Sequence, residues 1–117
     1  MTLSAGKLWG MRRLADAQGR YKMVAVDQRP PIMNPIKQAL GLAEAPYDAV
    51  AKFKLMLVEE LQAQSTAVLL DPVWALPRGL NVVSPAKGLI VTLEDHAFRD
   101  APEGRYSAEI QDWSVEK

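Results

Sequence analysis

The sequence has no cysteine and only one histidine among its 117 residues. Disulfides, thiolate catalysis and cysteine-ligated zinc are therefore excluded together, and a histidine-rich metal site with them. Neither sign of charge dominates: 14 Lys and Arg balance 14 Asp and Glu. Without a field of one sign to hold a polyanion, nucleic-acid binding is not expected. No apolar run reaches the roughly 18 to 20 residues of a membrane span, so no membrane partner is expected either. The opening stretch "MTLSAGKLWGMRRLADAQG" lacks an apolar core followed by a small-residue cleavage site, which leaves the cytoplasm as the expected compartment. Gly79, Gly88 and Gly104 do not fall into the spacing of a phosphate-cradling loop, and nothing else suggests a nucleotide site.

What is present fits one globular domain over residues 1–117, with hydrophobic residues at 49% and charged residues at 24%. Residues 1–20 read as a helix that precedes the first strand. Ser4 is its cap, Leu8, Met11, Leu14 and Ala15 form an apolar stripe expected to pack against a neighbour, and Gly19 is its stop. Met23 to Val26 follow as a short apolar run with no helical period, the pattern of a buried strand. The four prolines at 30, 31, 35 and 46 argue against one long helix there, although "IKQALGLA" has room for a few turns. Asp48 is the expected cap of a strong helix over 49–63, with Val50, Phe53, Leu57, Val58 and Leu61 on one face and Lys52, Glu59, Glu60 and Gln62 mostly on another.

Two further apolar runs repeat the first design. "STAVLLDP" (65–72) ends in Asp71 and Pro72, and "KGLIVTLED" (87–95) ends in Glu94 and Asp95. Continuous apolar runs, as opposed to alternating ones, point to strands covered on both faces, the habit of parallel sheets in α/β proteins. The connection from the first run to the second is long enough for a crossover helix; the next allows only a short helix near "LNVVSPA". "DHAFRDAPEGRYS" reads as a mobile loop, and "SAEIQDWSVEK" as the start of another helix with Ser107 or Asp112 as cap.

In parallel α/β sheets ligands bind beyond the carboxyl ends of the strands, and Asp27, Asp71, Glu94 and Asp95 all fall there. Gathered carboxylates can exchange protons, orient a lysine or bind magnesium; singly, each could equally cap a turn. Arg29 offers a planar fork for phosphate or carboxylate, or a partner to neutralise Asp27 or Asp71, and the Gln28 amide both donates and accepts. His96 reads as a surface residue, Trp74 and Trp113 as packing residues, and Arg12 and Arg13 as a solvated helix face.

"AVDQR" ending a first strand, the helix "FKLMLVEEL", "LLDP" ending a second strand, "GLIVTLED" as a third and "DWSVEK" together resemble the N-terminal part of the tagatose 1,6-bisphosphate aldolases. These are class I aldolases of the wider deoxyribose-phosphate aldolase group, and the resemblance runs from about residue 20 to residue 117. It implies an incomplete (β/α)8 TIM barrel of about three parallel strands with flanking helices, since a whole barrel takes about 250 residues. It also implies a lysine Schiff base with a sugar-phosphate substrate, and no cofactor or metal. By motif position Asp27 and Gln28 match catalytic residues of the family, while Arg29 and Asp71 follow as substrate-binding neighbours.

The chain departs from the family pattern after "LLDP", where Val73, Trp74 and Ala75 stand in place of a glutamate, a tyrosine and a glycine. The family's lysines lie on later strands, outside this sequence. Of the seven lysines present, Lys22 and Lys87 precede strands, at the wrong end of a barrel, and Lys7, Lys37, Lys52, Lys54 and Lys117 read as helix or loop surface. None reads as a Schiff-base nucleophile, so the expectation is an N-terminal barrel portion that is inactive alone. Its expected partner is a complementary C-terminal barrel part or a second copy in a homo-oligomer. The alternative is a non-catalytic half-barrel that oligomerises or binds a phosphorylated small molecule through Arg29.

Overall fold

Three short strands alternate with helices along the chain, in a computed structural model that describes residues 2–117. Helix α1 (Ala5–Arg13) starts where Ser4 places its Oγ to accept the Lys7 N–H at 3.3 Å. Half of the expected stripe packs: Leu14 and Ala15, just past the helix, are half-buried, whereas the helix itself buries none of its residues and Leu8, Trp9 and Met11 stay exposed. Gly19 lies past the helix, in a left-handed turn that closes on Asp16.

Strands β1 (Met23–Ala25), β2 (Ala67–Leu70) and β3 (Gly88–Val91) form one parallel sheet in the order β1-β2-β3. The register pairs Val24 with Val68 and Val68 with Leu89. Thr66 ties the start of this sheet together, its Oγ1 donating to the Leu14 carbonyl at 2.6 Å and accepting from the Lys22 N–H at 3.0 Å. At the same end Gly88 is the only residue type that fits: a Cβ there would lie 2.7 Å from Leu14 Cδ2 and 2.8 Å from the Arg13 carbonyl oxygen.

Helix α2 (Pro30–Leu40) contains the few turns expected in "IKQALGLA" and, as the prolines imply, no single helix runs on to Pro46, but it starts earlier than expected, at Pro30. Pro30 and Pro31 occupy its first two positions, where no helical partner exists for an N–H in any case. Only Pro35 removes an internal bond, and Gly41, left-handed at φ 65°, ends the helix. Helix α3 (Tyr47–Leu61), extended by a 3₁₀ turn at Gln62–Gln64, begins after Pro46; Asp48 sits in its first turn and pairs with Arg78 at 2.6 Å instead of capping. Its buried face is Val50, Ala51, Lys54 and Val58, which leaves Phe53 and Leu61 exposed and turns the expected face toward Lys54.

The core joins Val26, Val58, Val68, Leu70 and Ala75, so α3 covers one face of the sheet. The opposite face, with Met23 and Ala25 exposed and Leu69 and Ile90 half-buried, corrects the expectation of two-sided cover. The short helix between β2 and β3 is α4 (Leu76–Gly79), a little earlier than the stretch "LNVVSPA".

The stretch expected to be a mobile loop is an antiparallel hairpin of β4 (Arg99–Ala101) and β5 (Gly104–Tyr106). The last segment is not a helix: Ile110 N–H bonds the Leu93 carbonyl, Asp95 N–H bonds the Ala108 carbonyl, and Asp112 is left-handed at φ 59°. Pairing with the chain just after β3 has claimed the backbone groups a helix would use. Among the described residues no helix is long and apolar enough to cross a membrane.

Candidate active site

The carboxyl ends of the three strands bring together some of the expected residues and separate one of them. Asp27, Gln28 and Arg29 leave β1 and line an open cleft of about 360 Å³ with Thr92, Glu94 and His96. Asp27 is half-buried, and one of its oxygens, Oδ2, accepts from Thr92 Oγ1 at 3.3 Å. Gln28 is exposed. Arg29 is 8% exposed, and its Nη2 donates to the Glu94 carbonyl at 2.9 Å. It forms no ion pair with Asp27 or Asp71 among the described residues. A guanidinium held by one backbone carbonyl retains further N–H donors at the cleft.

Asp95 also lines this cleft. Its carboxyl is held below the usual carboxylate range, chiefly by the Ala97 N–H, with the neighbouring His96 and Arg29 charges adding to the effect. His96 Nδ1 lies 3.1 Å from Asp95 Oδ1 on an exposed loop, in line with a surface role. Among the described residues no group of three acidic or histidine side chains could hold a metal ion.

Asp71 does not open on the cleft. It is fully buried: Oδ1 accepts the N–H groups of Val73 and Trp74 at 3.1 and 2.6 Å, and Oδ2 lies 2.5 Å from the Lys54 ammonium. Lys54 is itself 0% exposed and donates a second bond, of 3.0 Å, to the Val26 carbonyl. This corrects the assignment of Lys54 to the helix surface. Burial pushes its ammonium below the usual lysine range, opposed by the hydrogen bond and charge of Asp71 and by the charge of Asp27. The sequence carried a signal for it: Val50, Lys54 and Val58 recur at four-residue spacing, so the lysine shares the stripe of two core valines. Trp74, half-buried, stacks on Tyr47 at 5.2 Å, as a packing residue would.

The arrangement can do two things chemically. An open carboxylate can take up or return a proton, and a nearly buried arginine beside it can bind an anionic group. The Lys54–Asp71 pair, shut away from the cleft, can only support that rim from behind.

No protein-family model matches the chain. It is 34% identical over 116 residues to tagatose 1,6-diphosphate aldolase 2 of Enterococcus faecalis, a match that takes in 98% of the chain and 34% of that protein. It is 30% identical over 113 residues to tagatose 1,6-diphosphate aldolase of Listeria monocytogenes, covering 97% of the chain and 32% of the relative. Tagatose 1,6-diphosphate aldolase 1 of Streptococcus mutans is 26% identical over 120 residues, across 100% of the chain and 35% of its own length. The chain thus spans about a third of the length of the curated relatives it matches. The resemblance carried by "AVDQR", "LLDP" and "GLIVTLED" holds: along nearly its whole length the chain is a homologue of the tagatose 1,6-diphosphate aldolases, with a coverage consistent with an N-terminal part of such a protein.

Proposed function

We propose that these residues form the N-terminal part of an aldolase, a carbon–carbon lyase acting on a ketose bisphosphate or related sugar phosphate through a lysine Schiff base. The three parallel strands then supply the first strands of a (β/α)8 barrel, and the partly open sheet face becomes part of its interior. The imine lysine comes from a part of the barrel outside these residues. Its iminium withdraws electrons as the carbon–carbon bond breaks, and the bonding pair passes into an enamine. Asp27 handles the proton lost from the hydroxyl of the departing carbonyl fragment, Gln28 hydrogen-bonds the substrate, and Arg29 binds a phosphate. Asp71, expected as a substrate ligand, acts indirectly through Lys54.

One observation carries this proposal: Asp27, Gln28 and Arg29 meet in one cleft at the carboxyl end of a parallel sheet, in a homologue of proteins named as aldolases. The test is a chimaera in which this chain replaces the matching third of the Enterococcus faecalis relative, assayed for cleavage of tagatose 1,6-bisphosphate. Activity that survives in the parent chimaera and falls by about 10²-fold or more with Asp27→Asn supports the proposal. Borohydride reduction of the chain alone with dihydroxyacetone phosphate tests the lysine assignment. No adduct is expected, and a reduced adduct on Lys22, Lys54 or Lys87 would contradict it.

Among the described residues no strand pairs with the outer edges of β1 and β3, which favours an addition to this proposal, that they pair with the rest of a barrel or with a second copy. Sedimentation distinguishes a discrete oligomer from a monomer that aggregates.

A further inference from the structure

We propose that Lys54 is a positioning residue for the cleft, its ammonium clamping the end of β1 to the end of β2 and so setting where Asp27 enters the site. The assignment of a purpose to that placement rests on the aldolase proposal; the clamp itself does not.

The geometry supports a clamp over a simple stabilising pair. Strand pairing between β1 and β2 ends at Ala25 opposite Leu69, with one further bond from the Val26 N–H to the Leu69 carbonyl at 2.8 Å. The Val26 carbonyl, one residue before Asp27, has no backbone donor among the described residues; its partner is Lys54 Nζ at 3.0 Å. The same nitrogen reaches Asp71 Oδ2, and Asp71 Oδ1 holds the Val73 and Trp74 N–H groups that begin the turn after β2. One ammonium, reaching in from α3, therefore joins the last residue before the open carboxylate to the turn beyond the neighbouring strand.

Stability alone does not call for this device. An apolar side chain in place of a buried ion pair is often as stable or more so, because two charges must be stripped of water to form the pair. A charge kept in the core, with its second bond spent on the carbonyl beside Asp27, fits a requirement for placement. The lowered proton affinity of Lys54, opposed in part by the charge of Asp27, agrees with the closeness of clamp and rim.

The test is amide hydrogen exchange by NMR on the chain and two variants, Lys54→Met and Lys54→Met/Asp71→Asn. The double variant removes both charges but retains an acceptor for the Val73 and Trp74 N–H groups. Two amides at corresponding places on either side of β2 are compared: Val26 N–H, bonded to the Leu69 carbonyl, and Thr92 N–H, bonded to the Leu70 carbonyl at 2.9 Å. A clamp predicts that exchange at Val26 rises about ten-fold or more relative to Thr92, the signature of local opening at one strand end. Equal changes at both amides, or a double variant that does not fold, would show a general stabilising role and overturn the proposal. In the active chimaera the double variant is expected to lower kcat more than it raises KM. A chimaera inactive in every form, with the exchange difference intact, would refute the aldolase proposal and leave the clamp standing.

Discussion

Asp27 and Asp71 end neighbouring parallel strands, each is followed closely by proline, and the structure gives them opposite surroundings. Asp71 is fully buried, with both oxygens occupied by Lys54 and two backbone N–H groups. Asp27 faces an open cleft and accepts one long hydrogen bond, from Thr92. The same local sequence pattern thus yields a sealed carboxylate and an available one. What decides between them is α3, which delivers a lysine to the end of β2 and none to the mouth of the cleft. A carboxylate saturated with partners holds structure in place; one left open at the rim can do chemistry.

The largest effect is expected at Lys54. Lys54→Met leaves Asp71 buried without its counter-charge and should cost about 3–5 kcal/mol in urea unfolding. Replacing both partners with apolar residues, Lys54→Met/Asp71→Leu, should recover most of that loss even though the Asp71 cap is also removed. A double variant as unstable as the single one would show that the pair is not the unit described. Arg29→Ala comes next: loss of a charged donor to the Glu94 carbonyl in a mostly buried position should cost about 1–3 kcal/mol. In isothermal titration it should also abolish any binding of a sugar phosphate to the chimaera.

Asp27→Asn sharpens the contrast from the other side. The open carboxylate makes one hydrogen bond and no ion pair among the described residues, so the change in stability should stay within about 0.5 kcal/mol. A loss comparable to that of Lys54→Met would mean that Asp27 is structural after all.

The smallest effect concerns pH. The folded state holds the Asp95 carboxyl below its ordinary value of 3.8, principally through the Ala97 N–H. Because the folded state binds this proton more weakly, the contribution is fully present above that ordinary value and is lost as pH falls through the lower, folded one. Chemical shifts of the Ala97 amide should therefore report loosening of the loop only as pH falls below that ordinary value of 3.8, at the edge of the cleft.

The strands and the strongest helix were legible in the sequence because continuous apolar runs and four-residue periodicity are local signals. The cleft was legible too, since Asp27, Gln28 and Arg29 follow directly on a strand and ligands gather at that end of such sheets. The burial of Lys54 is only half legible: it shares the four-residue spacing of Val50 and Val58, but a lysine two positions from Lys52 reads as one more solvated charge until Asp71 is seen to need a partner. The prolines correctly exclude one long helix up to Pro46, but the start of α2 at Pro30 is not legible from their number alone, because at the first turn a proline costs no hydrogen bond. The final segment escaped because its backbone partners, Leu93 and Asp95, are distant in sequence, and local propensity carries no information about that pairing.

In the proposed aldolase the open carboxylate, not the sealed one, works on substrate. This is tested most directly by the rate of tagatose 1,6-bisphosphate cleavage in the chimaera with and without Asp27→Asn, alongside the urea midpoint of each. A fall in kcat of about 10²-fold or more with an unchanged midpoint is expected. Full activity in the Asp27→Asn chimaera, at an unchanged midpoint, would contradict it.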